Sequence, residues 1–379
     1  MKKKERIKIN ILTTGRFHAL DLARELDKKG FDVKFYTYVK PKRCAEFGLP
    51  NRCCKCLFYP LSPFIALEFV VFKKGKLHAW AYNLRRWIQD LLTGLIMRKA
   101  DIVIAMSGEF VYSLKQGHKK GAKVILERGA MHVLEQQKVL SSNPSGKSPY
   151  TKLSIRRELK GYTISDFVSI PGTHVKKSFL KYKYPEQKLF VNPYGVDLRQ
   201  FYYKKTTKKY DVIMTGNFSY EKGCDILVKA IDITGLSLLH VGALNGVDFP
   251  NRDGFTHIDA VDQSKLIDYY NQAKVFCLPS RQDGFGLVLL QAIACQLPVV
   301  GTQNNGAPDL KRIFNNTNSI IISEGTTPEL LANALREAIK IYDLKCNDSF
   351  YTNDQIKSLS WDGYGNRYAS FIRNVIKNR

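Results

Sequence analysis

The sequence predicts an α/β protein made of two doubly wound, parallel-sheet domains that face each other across a central cleft. Three observations carry this reading. Strand patterns alternate with amphipathic helix patterns along the chain, the arrangement that builds parallel sheets. The first strand runs into a glycine turn and then a helix, and after residue 200 the whole alternation begins again. At 379 residues the chain is long enough for two domains, each with a sizeable core.

In chain order, "RIKINILTT" reads as a strand, Gly15 as its turn, and "HALDLARELDKKG" as a helix closing on Gly30. "FDVKFYTY" completes the β-α-β opening. "ADIVIAMSG" (100–108) and "AKVILERGAMH" (122–132) read as further strands ending in glycine-containing loops, "SDFVSIPG" as one more, and the unit closes near "VNPYGVDLRQFYY". Past the basic joint "KKTTKKY", strands "DVIMTG", "LSLLHVGA", "KVFCLPS" and "LPVVGT" alternate with helices "CDILVKAIDIT", "KLIDYYNQA" and "GLVLLQAIAC". The expected divisions are a Rossmann-like domain at 1–199, a second at 200–356, and a helical tail at 357–379 that crosses back to the first. Ligands in such sheets bind beyond the carboxyl ends of the strands, so the site belongs in the cleft.

Charge is distributed unevenly. Residues 1–195 hold 38 Lys and Arg against 15 Asp and Glu, whereas residues 196–379 hold 21 against 19. A one-sided excess of this kind suits an anionic partner. The apolar stretch near "MKKKERIKINILTTG" is too short for a signal peptide, and "LFYPLSPFIALEFVVF" (57–72) is broken by two prolines and Glu68. A cytoplasmic protein is expected. Cys44, Cys53, Cys54 and Cys56 cluster without zinc-site spacing and read as reduced thiols in a loop. Cys224, Cys277, Cys295 and Cys346 read as small core residues.

The stretch "SRQDGFGLVLLQAIACQLPVV" (280–300) is the most informative. Gly284 and Gly286 allow a tight turn, and the following helix presents unpaired N–H groups and a positive dipole end to an anion. Gln291 lies about 7 Å along that helix from Gly286. A diphosphate at the helix start could therefore be flanked by Asp283 at one end and Gln291 at the other, both suited to sugar hydroxyls.

This segment resembles the signature of retaining GT-B glycosyltransferases of glycosyltransferase family four, written as two glutamates seven residues apart; here they are Asp283 and Gln291. "GNFSYEKG" (216–223) resembles the family's phosphate loop, with Lys222 in place and Asn217 where an arginine is usual. Arg281, Arg128 and Arg16 are candidates to supply the missing cation. "TQNNGAPDL" (302–310) resembles the next glycine turn, and Ser360-Trp361 the marker before the closing helix. "GRFHALDLARELDKKG" resembles the N-terminal glycine loop, and "ERGAMH" (127–132) the acceptor-side loop with its histidine.

The resemblance implies a GT-B fold and transfer of a sugar from a nucleoside diphosphate sugar to an acceptor hydroxyl. It implies Asp283, His132 and Lys222 as catalytic residues, His18 being a helix residue that packs near the loop. Donor contacts would come from Gly15, Arg16, Gly216, Asn217, Lys222, Asp283, Gly284, Phe285, Gly286, Leu287, Gln291, Asn305 and Gly306. The amides near Gly15, Gly216 and Gly306 would face the diphosphate. No Asp-x-Asp occurs in the chain, so neither metal nor cofactor is expected and the nucleotide sugar is substrate. The acceptor would be a glycan or a lipid-linked sugar in surface polysaccharide, lipopolysaccharide or glycolipid assembly. The basic stretch 72–100, with Trp80, Trp87, Leu91 and Leu92, and "HVKKSFLKYKY" (174–184) would dock on an anionic membrane surface at the inner face of the cytoplasmic membrane. Competing readings are a basic nucleic-acid or membrane binder without transferase activity, a GT-B nucleotide-sugar epimerase, and a silent scaffold. Nucleic acid is not the expected partner, because it leaves the 283–291 arrangement unexplained.

Overall fold

The computed structural model describes residues 6–143, 150–345 and 349–378. Its N-terminal half contains β1 (Lys8–Leu12), α1 (Phe17–Lys28), β2 (Asp32–Thr37), α2 (Pro41–Glu46), β3 (Cys54–Cys56), α3 (Phe58–Ala66), α4 (Gly75–Ile96) and β4 (Ile102–Met106). There follow α5 (Val111–Lys119), β5 (Lys123–Glu127), α6 (Val133–Ser141), α7 (Lys152–Ile164), β6 (Phe167–Ile170), α8 (Thr173–Lys181) and β7 (Leu189–Val191). These strands form one parallel sheet in the order β3-β2-β1-β4-β5-β6-β7. Helices cover both faces, so the central strands are apolar nearly throughout: Ile9, Ile11, Ile102, Ile104, Val124 and Ile125 are all buried.

The C-terminal half contains β8 (Tyr210–Thr215), β9 (Phe218–Ser219), α9 (Cys224–Thr234), β10 (Leu238–Val241), β11 (Leu244–Asn245), β12 (Phe255–Ile258), α10 (Leu266–Asn271) and β13 (Ala273–Cys277). It continues with α11 (Leu287–Ala294), β14 (Val299–Gly301), α12 (Ala307–Ile313), β15 (Ile320–Ile322), α13 (Pro328–Leu344), α14 (Asn353–Ser358) and α15 (Trp361–Lys377). The main sheet runs β12-β10-β8-β13-β14-β15, all parallel, beside a small β9–β11 pair. In each sheet the strand order reverses at the first strand, between β1 and β4 and between β8 and β13. The loops leaving those strands therefore border the crevice where such sheets bind ligands.

Helix α15 returns to the N-terminal half. Lys29 Nζ bonds Asp362 at 2.7 Å, the Tyr368 hydroxyl donates to Glu127 Oε2 at 2.9 Å, and Phe371 stacks on Phe190 with ring centroids 4.0 Å apart. Ser360 caps the helix by accepting from the Gly363 N–H at 3.2 Å.

The strand in 122–132 ends at Glu127 and gives way to the expected glycine-containing loop, where the Arg128 guanidinium folds back onto the Met131 carbonyl at 2.7 Å and closes a turn. One sequence expectation is corrected here. The cysteine cluster is not in a loop. Cys44 lies in α2, Cys53 in a short 3₁₀ turn, and Cys54 and Cys56 on edge strand β3. All four are free thiols, as are Cys224, Cys277 and Cys295, which are buried; Cys346 lies outside the described residues. Among the described residues no helix is long and apolar enough to cross a membrane.

Candidate active site

The strand-turn-helix at the centre of the C-terminal sheet places its polar side chains by backbone necessity. Strand β13 is wholly apolar and buried except at Lys274. Gly286, at φ +81°, turns the chain into α11, and a Cβ there would lie 2.6 Å from the Leu278 side chain. Asp283 is left at the turn, its Oδ1 accepting the Gly284 N–H at 2.7 Å. From the adjoining loop, Lys222 Nζ reaches Asp283 Oδ2 at 2.8 Å. Gly223 makes that approach possible: it is left-handed at φ +70°, and a Cβ would stand 2.1 Å from the Pro279 carbonyl. Burial acts to lower the Lys222 pKa, but the Asp283 carboxylate outweighs it and raises the value. The amides of Leu287 and Val288, in the first turn of α11, have no intrahelical acceptor and border the same space.

The N-terminal half supplies the opposite wall. His18 lies in the first turn of α1, beside the β1 turn, and its Nε2 meets Glu127 Oε1, at the end of β5, at 3.2 Å. The His18 ring lies 4.4 Å from the Tyr194 ring, centroid to centroid. Phe17, at φ +38° and 56% exposed, projects between the halves. Arg16 lies over the Phe47 ring at 3.4 Å.

Two adjoining chambers result, sharing Phe17, His18 and Leu287 as walls. One, about 460 Å³, holds Lys222, Asp283, Glu127, Gly129, Tyr194 and the α11 N-terminus. The other, about 540 Å³, holds Arg16, Asp21, Arg24, Phe47, Gln263 and Gln291. Tyr270 donates to Gln291 Oε1 at 2.8 Å and so orients that amide. The halves are bonded directly around the chambers. His174 Nε2 donates to the Asp283 carbonyl at 3.0 Å, the Thr173 N–H to Asp309 Oδ2 at 2.7 Å, and Gln136 Nε2 to Gln282 Oε1 at 3.3 Å.

Several expected site residues are placed elsewhere. His132 does not reach the cleft. It caps α6, stacks on Tyr182 at 4.5 Å and packs edge-on to Phe179, an aromatic setting that takes the ring inward. His18, read from sequence as a packing residue, is the histidine on the chamber wall. Of the amides expected near Gly15, Gly216 and Gly306 to face a diphosphate, those of the three glycines themselves are already engaged. Gly15 N–H meets Thr13 Oγ1 at 3.2 Å, Gly216 N–H the Val241 carbonyl at 3.0 Å, and Gly306 N–H the Phe285 carbonyl at 2.7 Å. Asn305 is buried, giving its amide to the Leu278 carbonyl and accepting from the Ala307 N–H. Phe285 does border the Lys222 chamber, but it is buried beneath Gly306, and its carbonyl, not its ring, holds that turn. Asn217 is exposed and borders neither chamber.

Of the three candidate cations, Arg281 is committed to Asp225 at 2.5 Å and lies over Tyr220, and Arg128 is buried against Glu158 at 2.9 Å and Gln136 at 2.6 Å. Arg16 alone of the three keeps its guanidinium on a chamber with no acidic partner at hydrogen-bond range among the described residues, and is held instead by Phe47. Sequence reasoning missed Glu127 and Tyr194 as wall residues, although both sit in the quoted stretches "ERGAMH" and "VNPYGVDLRQF".

The inward setting of His132 has a measurable consequence. Burial, reinforced by Arg128, holds its pKa down at about 4 from an ordinary 6.5. Between those values the unfolded chain binds more protons than the folded one, so stability rises with pH across the window. Thermal unfolding midpoints should fall as pH is lowered from 6.5 towards 4, and His132→Phe should flatten part of that fall. A profile unaltered in the variant would show that the imidazole is not held neutral.

Comparison with known proteins agrees with this architecture. Residues 209–340 match the family model "Glycosyl transferases group 1". A D-inositol 3-phosphate glycosyltransferase of Paenarthrobacter aurescens is 29% identical over 180 residues, covering 40% of this chain and 43% of that protein. The capsular polysaccharide biosynthesis glycosyltransferase CapM of Staphylococcus aureus is 25% identical over 201 residues, covering 46% and 50%. The chain thus spans about half or less of the length of these curated relatives. Among solved structures, sucrose-phosphate synthase from Thermosynechococcus elongatus superposes with TM-score 0.63 at 16% identity, over 99% of this chain and 100% of that one. Anabaena HepE in complex with UDP-glucose superposes with TM-score 0.62 at 14% identity, over 97% and 100%. Residues 209–340 are therefore similar to the glycosyl transferases group 1 family, and they lie in a chain whose two parallel-sheet domains form a GT-B fold.

Proposed function

We propose that the protein is a retaining, metal-independent hexosyltransferase that moves a sugar from a nucleoside diphosphate sugar to an acceptor hydroxyl, in surface polysaccharide, lipopolysaccharide or glycolipid assembly. One observation carries the reading: Lys222, Asp283 and the first turn of α11 converge in one chamber, and Gln291 stands in the next. It is supported by the UDP-glucose bound to HepE and by the named activities of the inositol-phosphate and capsular relatives.

The chemistry is a charge problem. A diphosphate must depart with its negative charge while the sugar becomes electron-poor. A pre-placed ammonium and helix-terminal amides lower the barrier without reorganising. In the free protein the ammonium is held by Asp283; an arriving diphosphate competes for it and releases the carboxylate to the sugar hydroxyls. Gln291, its oxygen taken by Tyr270, offers N–H donors to ribose oxygens where a carboxylate would accept from them. No nucleophile is assigned, and His132 takes no part.

The acceptor side is read as a surface that docks on anionic lipid. Tyr59, Phe69, Val70, Val71, Leu77, Trp80 and Trp87 are exposed along α3, the π-turn that follows it, and α4; Leu92 is only half-exposed. Exposed Lys73, Lys74 and Lys76 interleave with them, an apolar-plus-cationic combination that suits an acidic bilayer surface. The test has three arms. A thermal-shift panel of nucleoside diphosphates and nucleotide sugars should show at least one ligand raising the unfolding temperature. Transfer from that donor should persist in a chelator. Flotation should favour acidic over neutral vesicles and weaken in a Phe69→Ser/Trp80→Ser double variant. A panel without a shift would overturn the donor assignment, loss of turnover in chelator the metal independence, and indifference to lipid charge the docking.

A further inference from the structure

Tyr194 sits at the junction of the two halves with its ring enclosed. His18 lies against it at 4.4 Å, and Phe285, Tyr364 and Trp361 stand at 6.2, 6.0 and 6.5 Å between centroids. The residue is 6% exposed, borders the chamber that holds Lys222 and Asp283, and its hydroxyl has no hydrogen-bond partner among the described residues. A buried hydroxyl left unpaired costs free energy, so its place on a ligand chamber calls for an acceptor that arrives from outside. Gly129 keeps the approach open: a Cβ there would lie 2.9 Å from the hydroxyl and 3.7 Å from His18 Cε1. Burial and the neighbouring Glu127 and Asp283 carboxylates hold the phenol well above its ordinary pKa, so it stays a donor.

We propose that the Tyr194 hydroxyl is a donor-substrate ligand, giving its hydrogen bond to an oxygen of the sugar diphosphate portion. The assignment rests on the nucleotide-sugar reading above. It explains why a domain junction spends a full-sized aromatic with an unsatisfied polar end where Phe would pack equally well.

Tyr194→Phe removes one oxygen and no carbon, and two readouts separate a ligand role from a structural one. Without ligand, the variant should unfold at the same temperature as wild type or higher, because the unpaired hydroxyl is gone. With nucleotide sugar, its affinity by titration calorimetry should fall about tenfold. Nucleoside diphosphate alone distinguishes the acceptor. An equal loss places the bond on the diphosphate, and a loss confined to the nucleotide sugar places it on the sugar. Undiminished affinity in the variant, or a lowered unfolding temperature without ligand, overturns the proposal and leaves the function reading standing. Failure of wild type to bind any compound overturns both.

Discussion

Lys222→Met is expected to lower kcat/KM for the nucleotide sugar by about 10²–10³-fold, the scale on which enzymes depend on a single pre-placed charge at a departing anion. The geometry makes this lysine hard to replace. Its side chain is 24% exposed, and its ammonium lies 2.8 Å from Asp283 and shares its chamber with the α11 amides. Of the arginines considered as a second phosphate cation, Arg281 and Arg128 are committed to Asp225 and Glu158. The variant also leaves Asp283, 13% exposed, as an uncompensated carboxylate facing an incoming diphosphate, so loss of attraction is compounded by like-charge repulsion. Adding Asp283→Asn to Lys222→Met should therefore cost less than the two single effects combined, because the pair acts as a unit. Steady-state kinetics of the four proteins checks this. Strict additivity would show that the ion pair has no share in catalysis.

Gly284→Ala is the second large effect. A Cβ at this position would stand 1.8 Å from the Gly129 carbonyl oxygen, which belongs to the opposite half. Both atoms are backbone-fixed, so no rotamer change relieves the clash and the halves must separate. The bonds His174–Asp283 and Thr173–Asp309, close to this contact, would break with it. We expect transfer to fall at least 10²-fold, on the scale a misplacement of about 1 Å costs, with a larger radius of gyration in solution scattering. Each sheet, with its strands buried beneath its own helices, should keep its secondary structure by circular dichroism. An active variant with wild-type dimensions would mean that the close approach is not needed for catalysis.

The parts legible in the sequence were those written in local grammar. Helix α9 occupies Cys224–Thr234, the segment expected, because Gly223 and Gly235 flank it in left-handed conformations at φ +70° and +69°. The 273–294 strand-turn-helix was equally readable, since its glycines interrupt two strongly apolar runs. Strands β3, β12 and β15 were not read, being three or four residues long and too short to display a period; pairing with neighbours makes them strands.

The order of elements, the doubling of the sheet, the placement of Asp283 and Lys222 on loops at the strand ends, and the one-sided charge were all determined by the sequence. Each depends on residues close together in the chain. Which histidine faces the cleft, which amides stay free, and whether a hydroxyl finds a partner were decided only in three dimensions. His132 is drawn inward by Tyr162, Phe179 and Tyr182, thirty to fifty positions away. The Gly216 and Gly306 amides are taken by carbonyls of Val241 and Phe285 that folding brings to them. A hydrogen bond is settled by whichever partner arrives within about 3 Å, and that distance is a property of the packed molecule.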